Sequence, residues 1–455
     1  MTRKMNVNLR RILSVALAMM MCLSVALPGF ATNEKFIEGT ETQEVLAAIT
    51  KRLEMPIYTK VPNFSFRFDF KPISVDGDDY DVDEPNMPPI GSQTIAFTNS
   101  DNSHKDFHAD QTNGSQYIMR ESASDIFNGV AWKHAGIYTY YLNEFQTTDL
   151  PEEGKGNIEE ILILSKAVYK LEILVAERTL PLTGFYVKGL AVNIIKGDDG
   201  LDADGKIDAR PGTPDKGDGF SEMRFINKYA KNNGEIDPEI DPEDPEDIEK
   251  YTVLDINKIV SGDFANKEKF FEFLVTANKP EVVVPAEPEY TKYRAYVMEG
   301  KANGDYENVT SADNYKGTIG TDTNGNKFIE FTSGAPLTVY LKHNQHLAFT
   351  DLYVGSSFSV TESADPQYIA NYTLIINGTT GTKTTFTQEN QARPIAKTFI
   401  GEEKNEAEFD NLYKYTAPTG ISVDNLPYIV MIVSAMFAFA GLTVLKYRRG
   451  SKIQA

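Results

Sequence analysis

The chain has 455 residues, 41% of them hydrophobic and 32 of them glycine, which is the make-up of a folded protein; its length suits two large β domains or about three smaller units. The formal charge of −20, from 45 Lys and Arg against 65 Asp and Glu, excludes a nucleic-acid partner, because that affinity comes from neutralising phosphates. One cysteine, Cys22, lies in an N-terminal apolar run, so the rest of the chain has no disulfides, thiolate catalysis or cysteine-held metal.

In chain order, Arg3, Lys4, Arg10 and Arg11 precede the apolar stretch Ile12 to Leu27 and then Pro28-Gly29-Phe30-Ala31. A basic n-region, an h-region and small residues at −3 and −1 predict that residues 1–31 are a signal peptide, cleaved after Ala31. From there, 23 Tyr and 26 Phe against one Trp favour strands. Phe64-Ser-Phe66-Arg-Phe68-Asp-Phe70, Val253 to Val260 and Phe331 to Leu341 alternate with period two, and Asn324-Gly325 and Asn377-Gly378 supply turns. A helical exception is expected at Ile158–Lys166, and a loop rich in Gly and Asp from Gly197 to Gly219. Residues 232–250, acidic and spaced by prolines, read as a semi-extended linker. It divides the body into 46–231 and 251–415, expected to be two antiparallel β-sandwiches in tandem, an all-β fold. Residues 416–455 close the chain: Thr416-Ala417-Pro418-Thr419-Gly420, an uncharged stretch from 428 to 445 that just spans a bilayer, and Lys446, Arg448 and Arg449 as a basic stop that keeps the C-terminus inside. Between the two terminal segments stand 37 basic and 64 acidic residues, a balance of −27.

Strand alternation indicates which side chains face inward. Ile49-Thr-Lys51-Arg-Leu53 turns Lys51 inward, Tyr138-Thr-Tyr140-Tyr-Leu142-Asn-Glu144 turns Glu144 inward, and Met223-Arg-Phe225-Ile-Asn227-Lys-Tyr229 turns Asn227 inward. In the second half the same count puts Lys258 inward with Leu254, Ile256 and Val260, Glu362 inward with Phe358 and Val360, and Asn411 inward with Ala407, Phe409 and Tyr413, while Ser357 and Glu406 face water. Each half thus carries Lys, Glu and Asn in that order, with both Asn in Phe-x-Asn-x-Tyr. Burying a lone ammonium or carboxylate costs several kcal/mol, so these six residues need an explanation. One is structural: a buried Lys–Glu pair with Asn as third partner. The other is chemical. Desolvation lowers a Lys pKa and raises a Glu pKa, and the neutral amine attacks the Asn carboxamide while the Glu hydrogen-bonds its oxygen and shuttles protons; ammonia leaves and an isopeptide bond remains.

The combined pattern resembles two known families. Residues 46–231, with Lys51, His134-Ala135-Gly136-Ile137-Tyr138-Thr139-Tyr140 leading to Glu144, and Phe225-Ile226-Asn227-Lys228-Tyr229, look like the isopeptide linker domain of streptococcal pilins. Residues 251–415, with Lys258, Leu341-Lys342-His343, Val360-Thr361-Glu362 and Asn411, look like the second isopeptide-containing domain of such pilin subunits. The resemblance implies Ig-like sandwiches of the collagen-adhesin B type, with Lys51 bonded to Asn227 assisted by Glu144, and Lys258 bonded to Asn411 assisted by Glu362. The C-terminal block resembles the sorting signal of Gram-positive cell-wall proteins. It departs from Leu-Pro-x-Thr-Gly by placing Pro418 directly before Thr419, and the resemblance implies sortase cleavage between Thr419 and Gly420.

Together these features imply a secreted cell-surface protein of a Gram-positive bacterium, a structural pilin subunit and not an enzyme. Its partners would be a sortase and then peptidoglycan or neighbouring subunits, with the membrane touched only through the sorting helix before cleavage. Lys196, Lys206 and Lys216 are candidate acceptors by location. The alternative is a monomeric wall-anchored adhesin for a host or matrix ligand. No cofactor or metal is expected: Asp202 to Asp208 lacks two ligand positions of a calcium loop, and His343 and His346 would fall on opposite faces of a strand.

Overall fold

The structure is a computed structural model that describes residues 35–82, 86–122, 125–145, 160–212, 219–232, 252–280, 291–302, 304–386, 392–414 and 426–450. Residues 1–31, expected to be a signal peptide, nearly all of the expected linker 232–250, Lys216 and Pro418-Thr419-Gly420 lie outside the described residues.

The fold is all-β, with one C-terminal helix. Strands form where the sequence alternates: in Phe64–Val75, Phe64, Phe66 and Phe68 are buried while Ser65 and Arg67 are exposed. An eight-stranded sheet holds Phe64–Val75, Gly136–Glu144, Val168–Glu177 and Phe185–Lys196; a five-stranded sheet holds Thr50–Pro56, Ser115–Glu121, Glu160–Ile163 and Arg224–Lys231. Their inner faces share one core, joining Phe68, Tyr140, Leu171 and Ile173 to Leu53, Ile118, Phe225 and Tyr229. From residue 254 onward a ten-stranded sheet, including Leu254–Ser261, Gln345–Phe349, Tyr368–Ile376 and Glu406–Tyr413, packs on a four-stranded one of Phe271–Asn278, Leu337–Leu341, Ser357–Glu362 and Arg393–Phe399.

Several expectations need correction. The sandwiches are not wholly antiparallel: Arg224–Lys231 runs parallel to Thr50–Pro56, and Glu406–Tyr413 parallel to Leu254–Ser261. Parallel neighbours require a long crossover, and here the strands between them form that crossover: the last strand of the first sandwich lies beside Thr50–Pro56, which follows the short strand Phe36–Glu38, and the last strand of the second lies beside its first. The segment read as helical contains the strand Glu160–Ile163, paired to Lys228–Lys231; nine residues are too few for periodicity to outweigh an available sheet edge. Glu406 and Ser357 are buried, not in water, Glu406 against Lys404 at 2.5 Å and Ser357 beneath Asn278, whose Nδ2 donates to its Oγ at 3.3 Å. His343 and Asn344 sit in a turn, Asn344 at φ 64°, so the strand count does not apply there.

The two sandwiches touch. The N–H of Val354 donates to the Lys231 carbonyl at 3.0 Å, Lys60 N–H donates to Glu402 Oε1 at 2.5 Å, and Lys231 Nζ reaches the same oxygen at 2.9 Å. Gly355, at φ 77°, lies so close that a Cβ there would collide with Pro56. At the chain's end, Pro427–Tyr447 is 21 residues of helix long and apolar enough to cross a membrane by length and composition.

Candidate functional site

All six inward polar side chains are buried: Lys51, Asn227, Lys258 and Glu362 are 0% exposed, Glu144 1% and Asn411 2%. Lys51 and Asn227 lie on the adjacent parallel strands of the five-stranded sheet, where Lys51 stands opposite Phe225 and Leu53 opposite Asn227. The second sandwich repeats this register, with Lys258 opposite Phe409 and Val260 opposite Asn411. Each glutamate comes from the facing sheet, at a position opposite a phenylalanine: Glu144 with Phe68, Glu362 with Phe273. Across the core Phe68 meets Phe225 with ring centroids 4.9 Å apart, and Phe273 meets Phe409 at 5.2 Å. Lys51 Nζ lies 4.5 Å from the Phe66 centroid and Lys258 Nζ 4.6 Å from that of Phe271. The same apolar box therefore surrounds both trios, excluding water and holding the amine over a ring face that favours its positive charge.

The polar contacts inside the boxes are short. Lys51 Nζ donates to Glu144 Oε2 at 2.8 Å, and Asn227 Nδ2 donates to Glu144 Oε1, also at 2.8 Å. In the second box Lys258 Nζ lies 3.1 Å from Glu362 Oε1 and donates to the Phe409 carbonyl at 3.3 Å, while Asn411 Nδ2 donates to Glu362 Oε1 at 2.7 Å. The glutamates thus receive the carboxamide nitrogen, whereas the sequence reading gave them the oxygen. In the first box that oxygen accepts the main-chain N–H of Ser165 at 2.7 Å. In the second, neither Asn411 Oδ1 nor Glu362 Oε2 has a hydrogen-bond partner among the described residues.

Burial pushes both amines down to about 8, against the opposing pull of Glu144 on Lys51 and of Glu362 on Lys258. Arg393, buried and directly opposite Glu362 in the neighbouring strand, lowers Lys258 further. Burial likewise raises the Glu144 carboxyl, with the negative charge of Asp198 adding to the effect. In the first box, one proton shared between a destabilised ammonium and a destabilised carboxylate gives access to a neutral amine beside a carboxylic acid. A carboxamide carbon next to such a pair is an electrophile with an acid at its leaving nitrogen.

Sequence reasoning missed Ser165, Asp198, Arg393 and the phenylalanine box. The rings were legible as apolar alternation, but nothing in the spacing tied them to the trios; Ser165 fell in the presumed helix and Asp198 in the loop. Of the other candidates, Lys196 and Lys206 are exposed, and Trp132 packs at the core edge 5.0 Å from Tyr138. His343 Nδ1 accepts the Val260 N–H at 3.1 Å, and His346 Nδ1 contacts Asp255 at 2.8 Å.

Residues 252–400 match a family model described as a domain of unknown function, DUF7601. No curated protein matches the chain. Among solved structures, the chain is similar to the major pilin from Streptococcus pyogenes, at 14% identity and a TM-score of 0.29, covering 82% of this chain and 100% of that one. It is also similar to the major pilin protein of a further S. pyogenes serotype, at 16% identity and a TM-score of 0.27, over 84% and 100% of the two chains. A pilus-presented adhesin is similar at 11% identity and a TM-score of 0.22, over 80% and 100%.

Proposed function

We propose that this chain is a structural subunit of the bacterial cell surface, a pilin, whose two sandwiches are each closed by a self-generated isopeptide bond: Lys51 to Asn227 with Glu144 as proton shuttle, and Lys258 to Asn411 with Glu362. The observation that carries this reading is the duplicated site. Two sandwiches with different strand counts place Lys, Glu and Asn at the same register offsets, over the same phenylalanine pair, in the same dry core. A structural ion pair with Asn as third partner also satisfies these groups; what favours the chemical reading is that the amide stands on the same carboxylate as the amine in both sandwiches.

The bonds would tie an N-terminal strand of each sandwich, Thr50–Pro56 and Leu254–Ser261, to its last strand, so that tension along a surface stalk is carried across the bond. The helix Pro427–Tyr447, following Pro418-Thr419-Gly420, supports attachment by a sortase that cuts after Thr419 and passes the chain to peptidoglycan or to a neighbouring subunit.

The test is the intact mass of the purified chain. The expected mass is lower than the sequence mass by two ammonias, and Glu144→Ala and Glu362→Ala each restore one. Finding the full sequence mass would remove the cross-link claim. Boiling cell-wall extract in detergent tests assembly: a ladder of covalent multimers is expected, and a single band would leave a monomeric surface protein.

A further inference from the structure

We propose that the main-chain N–H of Ser165 is the oxyanion donor of the first trio and that Asp198 is the residue positioning it; this rests on the cross-linking reading above. Ser165 is 1% exposed, and its N–H donates to Asn227 Oδ1 at 2.7 Å. Asp198 Oδ1 accepts from Ser165 Oγ at 2.5 Å and from the N–H of Ile226 at 2.8 Å. The Asp198 carbonyl also accepts the Lys166 N–H at 3.0 Å, and Ser165 Oγ accepts the Ala167 N–H at 3.1 Å. One residue therefore fastens the segment carrying the donor to the strand carrying the electrophile. Because an N–H only donates, it fixes the carboxamide with its oxygen toward Ser165 and its nitrogen toward Glu144.

The chemistry balances on that orientation. Lys51 passes one proton to Glu144 and, as a neutral amine, attacks Asn227 Cγ; the C–O electron pair moves onto Oδ1, where the Ser165 N–H meets it. Glu144 then gives its proton to Nδ2 and takes one from the new Lys51 nitrogen. The Cγ–Nδ2 bond breaks, ammonia leaves, and the isopeptide and a protonated Glu144 remain. A fixed donor aimed at developing negative charge acts without reorganisation, and removing one such donor slows acyl transfer on the order of 10²-fold or more. The second sandwich has no equivalent among the described residues, where Asn411 Oδ1 is unpartnered. The first bond therefore forms faster than the second.

The test uses the full chain made by cell-free synthesis in detergent, with the peptide bond between Leu164 and Ser165 replaced by an ester, which removes the Ser165 N–H, leaves every side chain in place and weakens the Leu164 carbonyl as an acceptor. Ammonia loss at each sandwich is followed over time by mass spectrometry and peptide mapping. The expected result is a first bond slowed on the order of 10²-fold and a second bond unchanged in the same molecules. Asp198→Ala should slow the first bond alone, and Asp198→Asn, which keeps an acceptor oxygen in place, should recover most of the rate. An unaltered first rate in the folded ester chain overturns the proposal and leaves the cross-link reading standing. If the ester chain does not fold, equal rates in Asp198→Ala and the parent overturn it. A parent chain that never loses ammonia defeats the cross-link reading itself.

Discussion

Lys51 and Glu144 titrate as a pair, and their protonation sets when the proposed bond can form. Burial draws the amine down to about 8 and raises the carboxyl, with Asp198 nearby. Between the two, the pair holds one proton, and the arrangement of neutral amine with protonated acid is within reach. As pH rises above about 8 that proton is lost, leaving no acid for the departing nitrogen. As pH falls below the raised range of Glu144, a second proton binds and the amine stays an ammonium. The first-sandwich rate should therefore be flat-topped and fall on both sides, measurable by time-resolved intact mass on freshly synthesised chain. A rate still climbing well above pH 8 would rule out the shared proton.

At the level of strands, the decisive feature is the parallel contact between an N-terminal strand and the last strand of each sandwich, Thr50–Pro56 with Arg224–Lys231 and Leu254–Ser261 with Glu406–Tyr413, with no short connection between them. Separated in sequence by the whole sandwich, these strands come apart readily in the unfolded chain, so a covalent tie removes much chain entropy. The loop-closure estimate for a loop of this size is about 5 kcal/mol. Trp132, the chain's one tryptophan, packs against the first core and makes its fluorescence a reporter of that sandwich alone. Asn227→Ala should lower the stability seen by Trp132 by about 5 kcal/mol in denaturant titration, whereas Asn411→Ala should leave that transition in place. Equal shifts from both variants would contradict two separately closed sandwiches.

Across the whole molecule, Glu402 of the second sandwich is the pin between the two. Its side chain is 1% exposed and holds the Lys60 N–H and the Lys231 ammonium, next to the close approach of Gly355 to Pro56. Burial raises its carboxyl while Lys231 opposes the rise, the balance of a paired buried charge. Glu402→Ala leaves Lys231 without this partner at a buried junction, a loss of about 3 kcal/mol, so the sandwiches should swing apart while both cross-links still form. Small-angle scattering should show a broader distribution of lengths with an unchanged mass deficit; an unchanged scattering profile would show that the junction is held elsewhere.

Strand alternation in the sequence determined the all-β fold and, residue by residue, the inward direction of Lys51, Glu144, Asn227, Lys258, Glu362 and Asn411, because period two needs only local geometry. The terminal helix was legible for the same reason: an uncharged run of that length declares itself. Only the tertiary structure decided which strands become neighbours, that the lysine and asparagine strands run parallel, and that Glu160–Ile163 is a strand. It alone brought the Ser165 N–H to the carboxamide oxygen and Asp198 behind Ser165, turned the amide nitrogen toward the acid, and buried Glu402. A main-chain N–H has no letter in the sequence, and a partner far along the chain is chosen by packing and topology, which no local pattern encodes.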